Sequence, residues 1–224
     1  MSLKTSLFVT LTLLFVATGV AQRNFDQNNH IGIFGGVTYF DINTSDFQTE
    51  MGTGFNLGFE TRGAFYNDFD LIYGVSFQQN KLDIFGRNIA GGGLALRPIE
   101  YQVTSAQVKL LGSYNIIYNH LSIEAGPMLN VNGKLKLTNE SQENFTLEGY
   151  ESLTAREIEN VSRVHFHVAA GITAGIENVR LSAQYQYGVT NLFSRFNEVE
   201  GLERPNGSFT GNTGTIVLMA ILYL

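Results

Sequence analysis

The feature that most constrains this chain is the alternation running from Ser162 to Ile176. Val164, Phe166, Val168, Ala170, Ile172, Ala174 and Ile176 fall on one face, and Arg163, His165, His167, Ala169, Gly171, Thr173 and Gly175 fall on the other. A period of two marks a β-strand with one apolar and one polar face. The next segment repeats it, with Val179, Leu181, Ala183, Tyr185, Tyr187 and Val189 set against Arg180, Ser182, Gln184, Gln186, Gly188 and Thr190. Only Glu177-Asn178 separates the two runs, which predicts a hairpin with a two-residue loop. Pairing Ile176 with Val179 keeps both apolar faces on one side, as register requires.

The same pattern predicts strands near 30–40 (Ile31, Ile33, Val37, Tyr39), 53–63 (Phe55, Leu57, Phe59) and 67–79 (Phe69, Leu71, Tyr73, Val75, Phe77). It also predicts strands near 103–118 (Val108, Leu110, Tyr114, Ile116) and 120–131 (Leu121, Ile123, Ala125, Leu129, Val131). A last strand, at about 213–224, is apolar on both faces, which leaves its facing open. That makes eight strands. Turns of two to five residues join strands two and three, four and five, and six and seven; the other connections are long, roughly 41–52, 80–101, 132–160 and 193–212. Tight turns at one end and long loops at the other are the pattern of outer-membrane barrels, with both termini in the periplasm. An even number of antiparallel strands closes the ring and leaves no unpaired edge.

Alternation alone does not say whether the apolar face points out to lipid or in, as in a soluble binding barrel. Composition decides. The polar face is mostly Gly, Ala, Ser, Thr, Gln and Asn, which suit a narrow interior, whereas a water-facing exterior would carry many Lys and Glu. Charged residues are only 15% of the chain, against a usual quarter or so. The long connections hold 8 Lys/Arg and 14 Asp/Glu, so the acidic charge sits in the loops and the strands are nearly neutral. Tyr39, Tyr118 and Tyr187 lie at strand ends, where aromatic girdles meet headgroups. The predicted fold is therefore an all-β, eight-stranded antiparallel transmembrane β-barrel with lipid on its apolar face.

The N-terminus reads as a secretory signal over residues 1–21. Lys4 precedes the apolar run Leu7–Val16, and Gly19-Val20-Ala21 gives a cleavage site before Gln22, so the barrel domain spans 22–224. The expected location is the outer membrane, with outer-membrane lipid as surroundings and a monomeric barrel as the unit. The chain has no cysteine, which excludes a disulfide framework and Cys-based metal sites. Its formal charge of −6 argues against a nucleic-acid partner.

Candidate chemistry is sparse, and no catalytic, cofactor-binding or metal-binding residue is assigned. Glu60, Arg62, Asp70, Lys109, Glu124, Arg163 and Arg180 are expected on the inward face. In a narrow lumen such charges pair into a plug, because an isolated buried charge is costly. His165 and His167, two apart on one strand, project the same way; a metal site needs further ligands that the sequence does not supply, so they read as lumen filling. No spacing of Ser, His and acid singles out a nucleophile. The connection at 132–160 carries Glu140, Glu143, Glu148, Glu151, Glu157 and Glu159 against Lys134, Lys136 and Arg156, and reads as a solvated external loop or a binding surface.

From about residue 100 to 192 the chain resembles the PorT-like outer-membrane β-barrel family of Gram-negative bacteria. The resemblance is carried by Gln107-Val108-Lys109-Leu110-Leu111, by Glu124-Ala125-Gly126-Pro127, and by Gln184-Tyr185-Gln186-Tyr187-Gly188-Val189-Thr190-Asn191-Leu192. The chain ends on Leu224, next to Tyr223, where such barrels favour a terminal aromatic. The resemblance implies the barrel fold, an outer-membrane location and a link to protein export. The expected function is a structural, binding or secretion-accessory barrel without catalysis or cofactor, contacting envelope or secretion-machinery proteins through its external loops. The alternatives are a lipid-modifying hydrolase and a narrow solute channel.

Overall fold

The computed structural model describes residues 29–89, 92–93, 95–204 and 207–224; the expected signal, 1–21, lies outside them. Eight strands form the ring: β1 (His30–Asn43), β2 (Thr49–Tyr66), β3 (Phe69–Arg87), β4 (Arg97–Ile117), β5 (Leu121–Asn132), β6 (Val164–Gly175), β7 (Val179–Gly188) and β8 (Asn212–Tyr223). Each pairs antiparallel with its neighbours in sequence, and β1 pairs with both β2 and β8, so the sheet closes on itself. Closure satisfies every strand edge without an outside partner.

The predicted hairpin register holds. Ile176 N–H donates to Val179 O at 2.9 Å, and Gly175 pairs with Arg180. Asn67 and Asn119 take the left-handed backbone (φ 48° and 58°) in the turns after β2 and β4, a conformation that asparagine tolerates better than most residues. Gly58 faces Phe34 across the β1–β2 pair, and a Cβ there would sit 2.7 Å from the Phe34 ring. The missing side chain is the space that the ring fills. The short turns and both described ends of the chain, near His30 and Tyr223, share one end of the barrel.

The apolar face points outward. Phe59 is 61% exposed and Leu181 66%, while Asn56, Gln78 and Gln186 are buried. Tyr39, Tyr185 and Tyr187 ring the loop end of this belt, and Phe65, Tyr66 and Tyr118 its turn end. The facing of β8, left open by its sequence, is settled. Ile216, Leu218 and Leu222 stand outside, whereas Val217, Met219, Ile221 and Tyr223 point in and pack with Phe34.

Two of the expected long connections are mostly strand. β3 and β4 pair without a break from Phe69↔Tyr114 to Gly86↔Arg97, and Thr49, Glu50 and Met51 of β2 pair with Ile84, Asp83 and Leu82. Residues 80–87 and 97–101 therefore belong to a ribbon that runs past the barrel proper. β4 has 21 residues, about twice what a membrane-crossing strand needs. The pattern in this ribbon has the opposite sense: Leu82, Ile84, Ile99 and Tyr101 are buried and point inward, so a search for apolar-outward alternation stops where the sense reverses.

The connections 133–163 and 189–211 are not open loops. Lys136–Leu137 adds to β4, Thr146–Leu147 adds to the end of β3, and short 3-10 turns at Glu140–Gln142, Glu157–Glu159 and Ser194–Glu198 lock the remainder. Together they form a cap with its own core. Phe47 stacks on Phe209 (5.6 Å) and meets Phe193 edge-on (5.1 Å), with Tyr150, Phe145, Leu153, Ile158 and Phe196 around them. Each such buried Phe or Leu contributes about 1.5–3 kcal/mol.

Candidate functional site

Three layers fill the axis of the molecule from the turn end to the cap. The first is an ion network. Arg62 on β2 donates to Asp70 (3.1 Å), Ser113 (2.8 Å), the Tyr223 hydroxyl (3.2 Å) and Glu124. Lys109 on β4 donates to Glu60 at 2.6 Å and lies over the Phe34 ring at 4.2 Å. The Tyr223 hydroxyl also donates to Glu60, joining the two clusters. Asn115 donates to Asp70 (3.0 Å), and the Arg180 guanidinium lies 5.7 Å from the Tyr223 ring centre. Glu60, Arg62, Lys109, Glu124 and Arg180 are each at most 4% exposed.

Arg163 does not join them. It precedes β6 and is exposed at the rim, because the strand parity that turns His165 inward reaches the open mouth two residues earlier. The network thus holds Glu60, Asp70 and Glu124 against Arg62, Lys109 and Arg180, a balanced set. Arg62 with Asp70 and Glu124, and Lys109 with Glu60, closely hydrogen-bonded, with Arg180, unpaired among the described residues, beside them and flanked by Ile72, Leu111 and Met128 on one wall and Val217, Met219 and Ile221 on another, make a packed plug.

Above the plug lies a polar chamber of about 20 Å³, bordered by Gln78, Asn130, Asn132, His165, His167 and Thr213 among others, and closed on top by Phe40, Leu135, Val161 and Leu192. That volume holds about one water. His165 is held by the Ser162 carbonyl (2.7 Å, Nε2) and the Thr190 hydroxyl (3.1 Å, Nδ1), and its ring centre is 6.4 Å from that of His167. Neither imidazole has a carboxylate partner, and no group of three or more His, Cys, Asp or Glu side chains is placed to hold a metal among the described residues. Both rings point into the lumen, the common side that their spacing predicts.

The third layer is the cap, clasped by polar contacts between loops far apart in sequence. Glu203 accepts from the backbone N–H groups of Glu151 (2.9 Å) and Ser152 (2.8 Å) and from the Ser152 hydroxyl (3.0 Å). Those N–H groups hold its carboxyl below the usual range. Asp46 accepts from Thr210 N–H at 2.7 Å, and the Tyr150 hydroxyl donates to the Asp46 carbonyl at 3.0 Å. Burial, reinforced by Asp46 and Glu203, pushes the Tyr150 hydroxyl up to about 12. Tyr101 ties cap to barrel by donating to Ala155 O at 2.8 Å. The acids of 132–160 are partly committed: Glu143 pairs with Arg156, Glu148 with Arg87, and Glu157 caps Thr154.

An eight-stranded closed ring with an apolar, aromatic-edged outer face and a plugged lumen defines the class: the fold is that of the small outer-membrane β-barrels. No family model matches the chain, and no curated protein matches it. Among solved structures it is similar to Neisserial surface protein A, with a TM-score of 0.50 and 12% identity over 88% of this chain and 99% of that one. It is also similar to Ail, the attachment invasion locus protein of Yersinia pestis (TM-score 0.46, 17% identity, 88% and 100% covered), and to outer membrane protein OprG from Pseudomonas aeruginosa (0.44, 12%, 87% and 92%). At 12% identity the likeness to Neisserial surface protein A is one of fold.

Proposed function

We propose that this chain is a non-catalytic outer-membrane barrel whose lumen is a structural plug and whose cap is a preformed binding surface facing away from the cell. The observation that carries the reading is the reversal of polarity along β3 at constant facing, from apolar Phe77 outside and Gln78 inside to Lys81 outside and apolar Leu82 inside. Such a reversal suits a strand that leaves lipid and enters water, and the cap that begins there has a core of its own. A clasped cap presents its side chains with little ordering cost on binding, the advantage of a preorganised surface.

The termini then lie in the periplasm with the short turns, and residues 1–21 act as an export signal. The PorT-like segment Gln184–Leu192 supports a secretion-accessory role, with envelope or secretion proteins as partners of the cap. Planar-bilayer recording tests the plug: the mature chain is expected to give no steady conductance, and stable openings would favour the channel. An altered lipid profile in a deletion strain would favour the hydrolase instead. Mature protein that is monomeric in buffer without detergent would overturn the membrane reading altogether.

A further inference from the structure

One cation of the plug lacks a counter-charge of its own. Arg62 meets Asp70 and Glu124, and Lys109 meets Glu60. Arg180 forms no ion pair among the described residues, although it is only 3% exposed. Its Nε and Nη1 groups have no hydrogen-bond partner, and Nη2 reaches Asn119 Oδ1 only at 3.5 Å. The sheet explains the shortfall. The cross-strand neighbours of Arg180 are Gly175 on β6 and Ile221 on β8, and neither carries a side-chain acceptor. A buried charged donor left idle is costly, so each such group calls for a partner.

Arg180 lines a recess of about 170 Å³ at the turn end of the barrel, against about 20 Å³ for the chamber under the cap. Asn119 and Glu177, from two of the short turns, border it together with His30, Arg62 and Asp70. Arg62 already donates to Asp70, Ser113, Tyr223 and Glu124. The idle donors of the recess are therefore those of Arg180, whose guanidinium has the Tyr223 ring centre 5.7 Å to one side. A guanidinium offers donors only, so it selects an acceptor-only group, and an ionised carboxylate is one. Two carboxylates on the same recess limit the charge it accepts. Asp70 is engaged by Arg62 (3.1 Å) and Asn115 (3.0 Å), whereas Glu177 is exposed on its turn. A singly charged ligand is repelled by them less than a doubly charged one such as phosphate.

We infer that this recess is a binding site for a monoanionic carboxylate, which accepts from the idle N–H groups of Arg180 and enters from the turn end. The carboxylate belongs either to a small organic acid or to the C-terminus of a peptide. The site is separate from the cap and lies at the opposite end of the axis, and its occupation leaves the plug closed. Hydrogen bonds between two ionised partners are shorter and stronger than neutral ones, which is what makes one guanidinium enough to hold a small ligand.

The test uses the mature chain in detergent micelles, with nitrogen–proton NMR read on the Arg180 Nε–H and the Asn119 backbone N–H. Propionate is expected to shift both signals saturably, and propionamide, its neutral counterpart of similar shape, to leave them in place. That contrast is read on the wild type and needs no variant. R180Q is expected to weaken propionate binding by about tenfold, the change that about 1.4 kcal/mol gives, with mobility on unheated gels confirming a folded barrel. Tetra-alanine with a free C-terminus is compared with its C-terminal amide. Binding tighter than that of propionate and lost in the amide assigns the site to a chain end, and weaker or equal binding assigns it to a small acid. An absence of saturable shifts, equal shifts from propionate and propionamide, or tighter binding of inorganic phosphate would each overturn the inference. None of these outcomes bears on the cap or on the membrane reading.

Discussion

In the barrel, Phe59 and Leu181 stand outside and Gln78 and Gln186 inside; in the cap, Ile84, Ile99 and Phe193 lie inside, and Lys134, Glu140 and Glu151 lie outside. One chain is thus built on two opposite plans that meet within single strands. The barrel puts its apolar atoms against hydrocarbon, so its interior must be held by hydrogen bonds and paired charges. The cap is in water, so burial of aromatics drives it, and its charges lie at the surface. The contrast shows that the solvent, not the backbone, sets which face of a strand is apolar: β3 keeps the same pairing partner and the same inward parity throughout, and only the polarity of its two faces exchanges.

The two plans make different things expensive. Arg62→Ala leaves the buried Glu124 and the half-buried Asp70 without their cation, which is expected to cost about 3–5 kcal/mol. Urea unfolding in detergent micelles, followed by gel mobility, reads this as an earlier midpoint for the barrel. Phe193→Ala should remove about 3–5 kcal/mol from the cap, seen as faster proteolysis within 133–163 with barrel mobility unchanged. Should the two regions fail together in either variant, the cap and barrel form one cooperative unit rather than two.

Charge on the outer face gives the next contrast. Val168→Arg, in the belt, is expected to cost about 2–4 kcal/mol if it lies near the bilayer midplane, whereas Glu140→Leu on the cap should change stability by no more than about 0.5 kcal/mol. Equal effects at the two positions would place both in one solvent.

A further effect is a pH dependence confined to the cap. Tyr150 titrates at about 12 in the folded chain against 10.0 for a free tyrosine. A raised value means that the neutral hydroxyl is favoured by folding. Its contribution is complete below pH 10 and is lost as pH rises toward 12. Absorbance of ionised tyrosine and loop proteolysis should rise together over that interval, and Tyr150→Phe should remove the step in proteolysis.

How much of this was legible differs between the two plans. The β6–β7 hairpin was readable to the residue, because alternation and a two-residue loop leave one register that keeps both faces consistent. The ion plug was readable in its members except Arg163, since parity gives a facing but not the level at which the lumen ends. The partners Ser113, Asn115 and Tyr223 were not, because small polar residues fill every lumen and only their distances to Arg62, Asp70 and Glu60 single them out. The cap was missed for a physical reason. Its segments of β3 and β4 alternate as strictly as the barrel does, but with the sense reversed, and its remaining core comes from scattered residues such as Phe47, Tyr150 and Phe209 that no local period connects.

By itself the sequence determined a period of two, eight strands and which face of most of them is apolar, since these follow from side chains that alternate along an extended backbone. Only the tertiary structure decided the facing of β8, where both faces are apolar and closure against β1 and β7 sends Tyr223 to Glu60 and Arg62. It alone also decided that the long connections fold into one capped core, because that core is assembled from residues that come together only once the ring has closed.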